Sequence, residues 1–178
     1  MTPADKQGPA AAGPFFLQFR AALNRIDQAS RGVVIAAMAV MITLVVIQVV
    51  FRYAFSNAID WSEEVARLAF VWAMFLAIPH GIRHGVHVGI DAVVVHFSPR
   101  IQMQVFRTTA ALSAVLMAFV FYFGSQVAIY TWPEQMPTVN LTAAVYYIAV
   151  LIAAAHSILH AALLCWGGPN AWAEEPTP

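Results

Sequence analysis

The chain has 178 residues, 61% of them hydrophobic and only 10% charged, with no formal net charge at pH 7 and a mean hydropathy of +0.70. A soluble domain carries about 25% charged residues, so this composition belongs in a membrane. The nine basic residues are scattered and form no basic face for nucleic acid. The single Cys165 excludes an internal disulfide and a multi-cysteine metal site.

Residues 1–14, rich in Ala, Pro and Gly, read as a disordered tail. Over residues 15–30, Phe16, Phe19, Leu23 and Ile26 recur at helical spacing with Arg20 and Arg25 between them. That is the pattern of an amphipathic helix lying in the membrane interface. The apolar run that follows comes too late, and lacks a convincing small-residue cleavage site, for a cleaved signal peptide.

The first span, 32–52, is free of charge up to Arg52 and is long enough to cross the hydrocarbon core, which needs about 20 residues. The short connection from Tyr53 to Ile59 makes the first two spans antiparallel neighbours. Asp60-Trp61-Ser62-Glu63 is a helix start, with a capping side chain and a carboxylate three residues on. Glu63 and Glu64 fall in the first turn, where the helix dipole favours negative charge. Glu63 and Arg67 are four apart and can pair along one helix face. The second span, 61–82, contains Pro79, which is expected to bend its last turn.

Residues 88–97 place Ile90, Val93, Val94 and Phe97 on one side and Asp91 on the other. At about ten residues this segment is too short to span and reads as a second interfacial helix. The third span is 108–132, and Pro133 and Pro137 frame a tight turn after it. Asn140 is placed to cap the fourth span, 140–166, which Gly167-Gly168-Pro169 stops; residues 167–178 form a tail. The expected fold is an all-α membrane protein with four transmembrane helices plus interfacial amphipathic helices.

Basic residues set the orientation. With both termini cytoplasmic, Lys6, Arg20, Arg25, Arg31, Arg83, Arg100 and Arg107 all lie inside, leaving Arg52 and Arg67 outside. Tyr53, Trp61, Tyr130 and Trp132 then form an aromatic belt on the outer side, with Trp166 and Trp172 on the inner side.

The middles of the spans, around Met41, Val71, Val120 and Leu151, are apolar, whereas transporters and pumps keep ionisable groups there. The chain therefore reads as a subunit, with no catalytic residue and no cofactor or metal of its own. Two histidine pairs, His80/His84 and His156/His160, are each four residues apart near the cytoplasmic side. A haem-binding anchor of an electron-transfer complex is the alternative they raise; otherwise they are interfacial or helix-pairing polar groups. Gly81, Gly85 and Gly89 repeat every four residues, which fits a loosened helix end after Pro79 better than a packing strip. Trp72 is a packing residue or an anchor against another subunit. Arg52 is expected to meet Glu63 and Glu64 at the outer end of the first hairpin, fixing it and offering a partner surface.

Arg52-Tyr53, then Trp61-Ser62-Glu63-Glu64 with Arg67 and Trp72, then Gly81-Ile82-Arg83-His84-Gly85-Val86-His87 leading to Asp91, resemble the small membrane subunit of tripartite ATP-independent periplasmic (TRAP) transporters, the DctQ family. The match covers the first two spans and the segment after them; the last two spans agree in number and placement. The resemblance implies a non-catalytic four-helix subunit in the bacterial inner membrane. Its expected partners are a large permease subunit, which carries the substrate and sodium sites, and a periplasmic solute-binding protein that delivers an organic anion such as a carboxylate or sialic acid. Arg52, Tyr53, Trp61, Glu63, Glu64, Arg83, Gly85 and His87 then have structural or interfacial roles.

Overall fold

The computed structural model describes residues 13–83 and 97–172. Four helices, α1 Pro14–Ala54, α2 Asp60–Arg83, α3 Pro99–Tyr130 and α4 Ala144–Gly167, are each long and apolar enough to cross a membrane. A single 3₁₀ turn, Pro169–Trp172, follows α4. The helices stand in the order α1, α2, α4, α3, with α1 packed on α2, α2 on α4 and α4 on α3.

The expected interfacial helix 15–30 and the first span 32–52 run together as the 41-residue α1. At 1.5 Å per residue that is about 60 Å, twice the thickness of a hydrocarbon core. Nothing in Ser30-Arg31-Gly32 stops the helix: there is no proline, and one interior glycine costs only about 1 kcal/mol. The apolar stripe of the first turns serves the chain itself. Phe16 and Leu23 are buried with Ala110, Leu163, Leu164 and Ala171, and Phe19 packs against this cluster, while Ile26 stays exposed.

α2 begins with Asp60 and Glu63 in its first turn, and the Ser62 hydroxyl donates to the Ile59 carbonyl at 2.6 Å. It continues through Pro79 and Gly81 to Arg83. Gly81 has open space around it, so it contributes no packing strip. The small-residue seam lies on α4, where buried Ala149, Ala153, Ser157 and Ala161 recur every four residues. Small side chains there let helix backbones approach closely, which is how helices associate where the surrounding lipid is as apolar as the side chains.

α3 starts at Pro99, nine positions before the expected span, and α4 starts at Ala144 with Ala143 at its N-cap. Asn140 therefore does not cap α4. The turn between α3 and α4 is held by its own backbone: Met136 N–H donates to Leu141 O at 2.8 Å and Ala143 N–H to Glu134 O at 2.9 Å. Gly167 and Gly168 close α4 as expected. A Cβ on Gly167 would come within 2.8 Å of Phe16 and Ala171, and Gly168 adopts φ +70°, a conformation that favours glycine. The expected interfacial helix 88–97 falls outside the described residues except for Phe97, as do His84, Gly85, His87, Gly89, Asp91 and His96.

Candidate functional site

Three helices meet at a buried polar knot. α1 presents Asp27, four residues after Leu23 and three before Ser30 on the same buried stripe. α4 presents His156 and His160, four apart on its buried face. α2 presents His80 and Arg83. Arg83 Nη1 donates to Asp27 Oδ2 at 2.5 Å and to Asn24 Oδ1 at 3.2 Å. Asp27 Oδ1 lies 2.8 Å from His160 Nε2, 2.9 Å from His156 Nε2 and 4.0 Å from His80 Nδ1. The two Nε2 atoms are 3.1 Å apart. Trp172, carried on the 3₁₀ turn, covers the knot with its ring 4.1 Å from the Arg83 guanidinium carbon, in cation–π contact.

A carboxylate withdrawn from water is tolerated only when it is paired and hydrogen-bonded. Asp27 meets both conditions through Arg83 and the two imidazoles. The knot thereby ties α1, α2 and α4 together at one point. His80 Nε2, His160 Nδ1 and Ser157 Oγ are buried there with no hydrogen-bond partner among the described residues.

The histidines and Arg83 stand out in the sequence; Asp27 does not. Its signal was present: an acid on the apolar stripe of a helix must be paired or on the surface. Read as a membrane-surface helix, residues 15–30 gave Asp27 no reason to be buried. The haem alternative is not favoured by this geometry, because the His156 and His160 Nε2 atoms both converge on one carboxylate oxygen instead of facing an open plane.

At the opposite end of the bundle, Glu64 forms a clasp between the two helical hairpins. Its Oε2 accepts from the backbone N–H of Thr138 at 2.8 Å, from that of Val139 at 3.0 Å and from the Thr138 hydroxyl. Glu63 instead pairs with Arg67 at 2.8 Å on the surface. The expected cluster of Arg52 with both glutamates is thus corrected: among the described residues no ion pair joins Arg52 to either. Arg52 sits in the last turn of α1, and the turn after Ala54 leaves the two glutamates to nearer partners. Tyr53 and Trp61 are exposed at this end. About two helical turns in from the clasp, Trp72 Nε1–H donates to Val145 O at 3.2 Å, so Trp72 anchors α2 to the start of α4 within the chain.

Between knot and clasp the described helices carry no Asp, Glu, Lys or Arg from 32 to 51, 68 to 82, 108 to 130 or 144 to 167. These features define a class: a small four-helix membrane protein whose buried charges bind its own helices together and whose middle holds no charged pathway. A family model described as the DctQ component of tripartite ATP-independent periplasmic transporters matches residues 41–168. The chain belongs to this family. It is similar to a protein of Haemophilus influenzae named as a TRAP transporter small permease protein, 27% identical over 129 residues, covering 72% of this chain and 78% of the relative. A second Haemophilus influenzae protein of the same description is 31% identical over 80 residues, covering 45% of this chain and 50% of that relative.

Proposed function

We propose that this chain is the non-catalytic scaffold of its transporter: it holds a large permease subunit in place and helps dock a periplasmic solute-binding protein. The transport served is sodium-coupled uptake of an organic anion of the carboxylate or sialic acid class, with sodium and substrate held by the large subunit. The observation that carries the reading is the pair of uncovered flanking helices. Half of the most apolar stretch of α4 is buried within the chain, but none of that of α1 and only 6% of that of α3. Ile35 and Val46 on α1, and Leu112, Phe119 and Phe123 on α3, stand outward. They offer two long apolar faces to lipid and to a partner's helices, while the charge-free middle offers nothing to a polar solute.

Both termini are cytoplasmic in this reading, which puts the knot on the inner side and the clasp outside. Arg52, Tyr53, Trp61, Glu63 and Arg67 are then periplasmic surface groups available to a binding protein. The test is a mild-detergent pull-down of the tagged chain from native membranes, with mass spectrometry of what remains bound. A large polytopic permease at a one-to-one ratio is the expected result. Recovery of the chain alone, or with a reductase or dehydrogenase, overturns the scaffold role.

A further inference from the structure

We propose that Asp27 Oδ1, His156 Nε2 and His160 Nε2 are the ligands of one divalent first-row transition-metal ion, bound where α1 meets α4. The site is independent of the transport reading above, and it revises the expectation that the subunit holds no metal. Asp27 also lies outside residues 41–168, the part of the chain that the family model covers.

Too few protons are available to satisfy these three atoms. The three atoms form a closed triangle with sides of 2.8, 2.9 and 3.1 Å. A neutral imidazole has one ring proton, so each Nε2 supplies at most one hydrogen bond. If both donate to Asp27 Oδ1, two N–H groups confront each other across the third side. If one donates to the other, a bare nitrogen lone pair faces the carboxylate oxygen. Three sides cannot all be good hydrogen bonds. A cation at the centre removes the conflict, because all three lone pairs then point at positive charge.

The dimensions agree. A metal about 2.0–2.1 Å from each donor would stand just off the plane of this triangle, with angles of roughly 90–100° between ligands, and would keep its other positions open. Two histidines at i and i+4 on one helix face are a recurrent zinc-binding spacing. Two imidazoles and one carboxylate suit zinc and its first-row neighbours better than magnesium or calcium, which take oxygen donors. Arg83, held by Asn24, occupies the other carboxylate oxygen and so fixes the direction of Oδ1, the outer support that metal ligands characteristically have. His80 Nδ1, 4.0 Å from the same oxygen, is the next donor in reach. All three ligands are at least nine-tenths buried, which protects a bound ion from exchange. Its effect is a staple between α1 and α4, helices that otherwise touch only briefly.

The experiment uses the full chain, with any affinity tag removed, in mild detergent. The protein is stripped with a chelator, then given Zn²⁺ or Co²⁺, and metal per chain is counted by mass spectrometry after desalting. About one equivalent is expected, with visible d–d bands from a nitrogen–oxygen cobalt site and a higher melting midpoint. His156→Gln/His160→Gln is expected to weaken uptake at least tenfold, while Glu63→Gln, far from the site, binds like the parent. Failure of the parent chain to retain zinc or cobalt overturns the proposal, whatever the variants do. Equal uptake by the double histidine variant, if its helical circular dichroism is intact, overturns it as well and makes the metal adventitious.

Discussion

The two ends of the bundle each fasten helices with one carboxylate, and they do so by different physics. At the clasp, Glu64 meets the backbone of the α3–α4 turn at the protein surface. At the knot, Asp27 is 1% exposed and its partners come from α2 and α4. Water can replace the accepting carboxylate at the clasp, so its loss leaves Thr138 and Val139 donors that solvent can reach. At the knot water has little access, and losing Asp27 leaves the largely buried Arg83 without a counter-charge, with only the Asn24 oxygen and the Trp172 ring beside it. The lesson is that a contact's distance says little about its weight; what its loss leaves behind decides.

The largest effect is expected at Asp27. Asp27→Leu takes the counter-charge from Arg83, and the expected cost is about 3–5 kcal/mol, read as a large fall in the melting midpoint of the detergent-solubilised chain. Adding Arg83→Met removes the stranded charge and is expected to restore at least half of the loss. A melt of Asp27→Leu that matches the parent would show that the knot does not hold the helices.

Much of this architecture was legible in the sequence because membrane spans announce themselves by length and absence of charge. The run 32–51 marked the C-terminal half of α1 but not its start at Pro14, the cap-like Asp60–Glu63 placed the start of α2, and the Gly167-Gly168 stop placed the end of α4. The knot was not legible, for a physical reason. Asp27, Arg83 and His160 come from three helices, so their meeting depends on crossing geometry that periodicity does not encode. The same holds at the clasp. Glu64 and Arg52 are close in sequence and opposite in charge, yet the donors that capture Glu64 are the amides of Thr138 and Val139, 74 and 75 residues away. A pairing rule based on neighbouring charges does not see backbone N–H groups.

Glu64 is expected to give a smaller effect. Glu64→Ala is expected to speed amide hydrogen exchange at Thr138 and Val139, while the melting midpoint falls far less than for Asp27→Leu. Glu64→Arg, which sets a cation against the same N–H groups, should loosen the turn further. A second change, Arg52→Glu, should not rescue it, because Arg52 is not the partner. Rescue would restore the Arg52–Glu64 pairing that the sequence suggested and remove the clasp from the account.

The smallest effect belongs to the Glu63–Arg67 pair. It has good geometry, 2.8 Å along one helix face, but its side chains are 65% and 63% exposed. Coulomb attraction between exposed charges is weakened by water, and ordering two long side chains opposes it, so such a pair is worth at most about 0.5 kcal/mol. Glu63→Gln should therefore leave the melting midpoint within error of the parent. If the pair serves a partner instead, the same variant should lower capture of the solute-binding protein, and added salt should reduce the parent's capture towards that of the variant. A drop in stability comparable to that of Asp27→Leu would show that exposure is a poor guide to weight in this bundle. Unchanged stability with weakened, salt-sensitive docking would separate the charges that hold the chain together from those that face its partners.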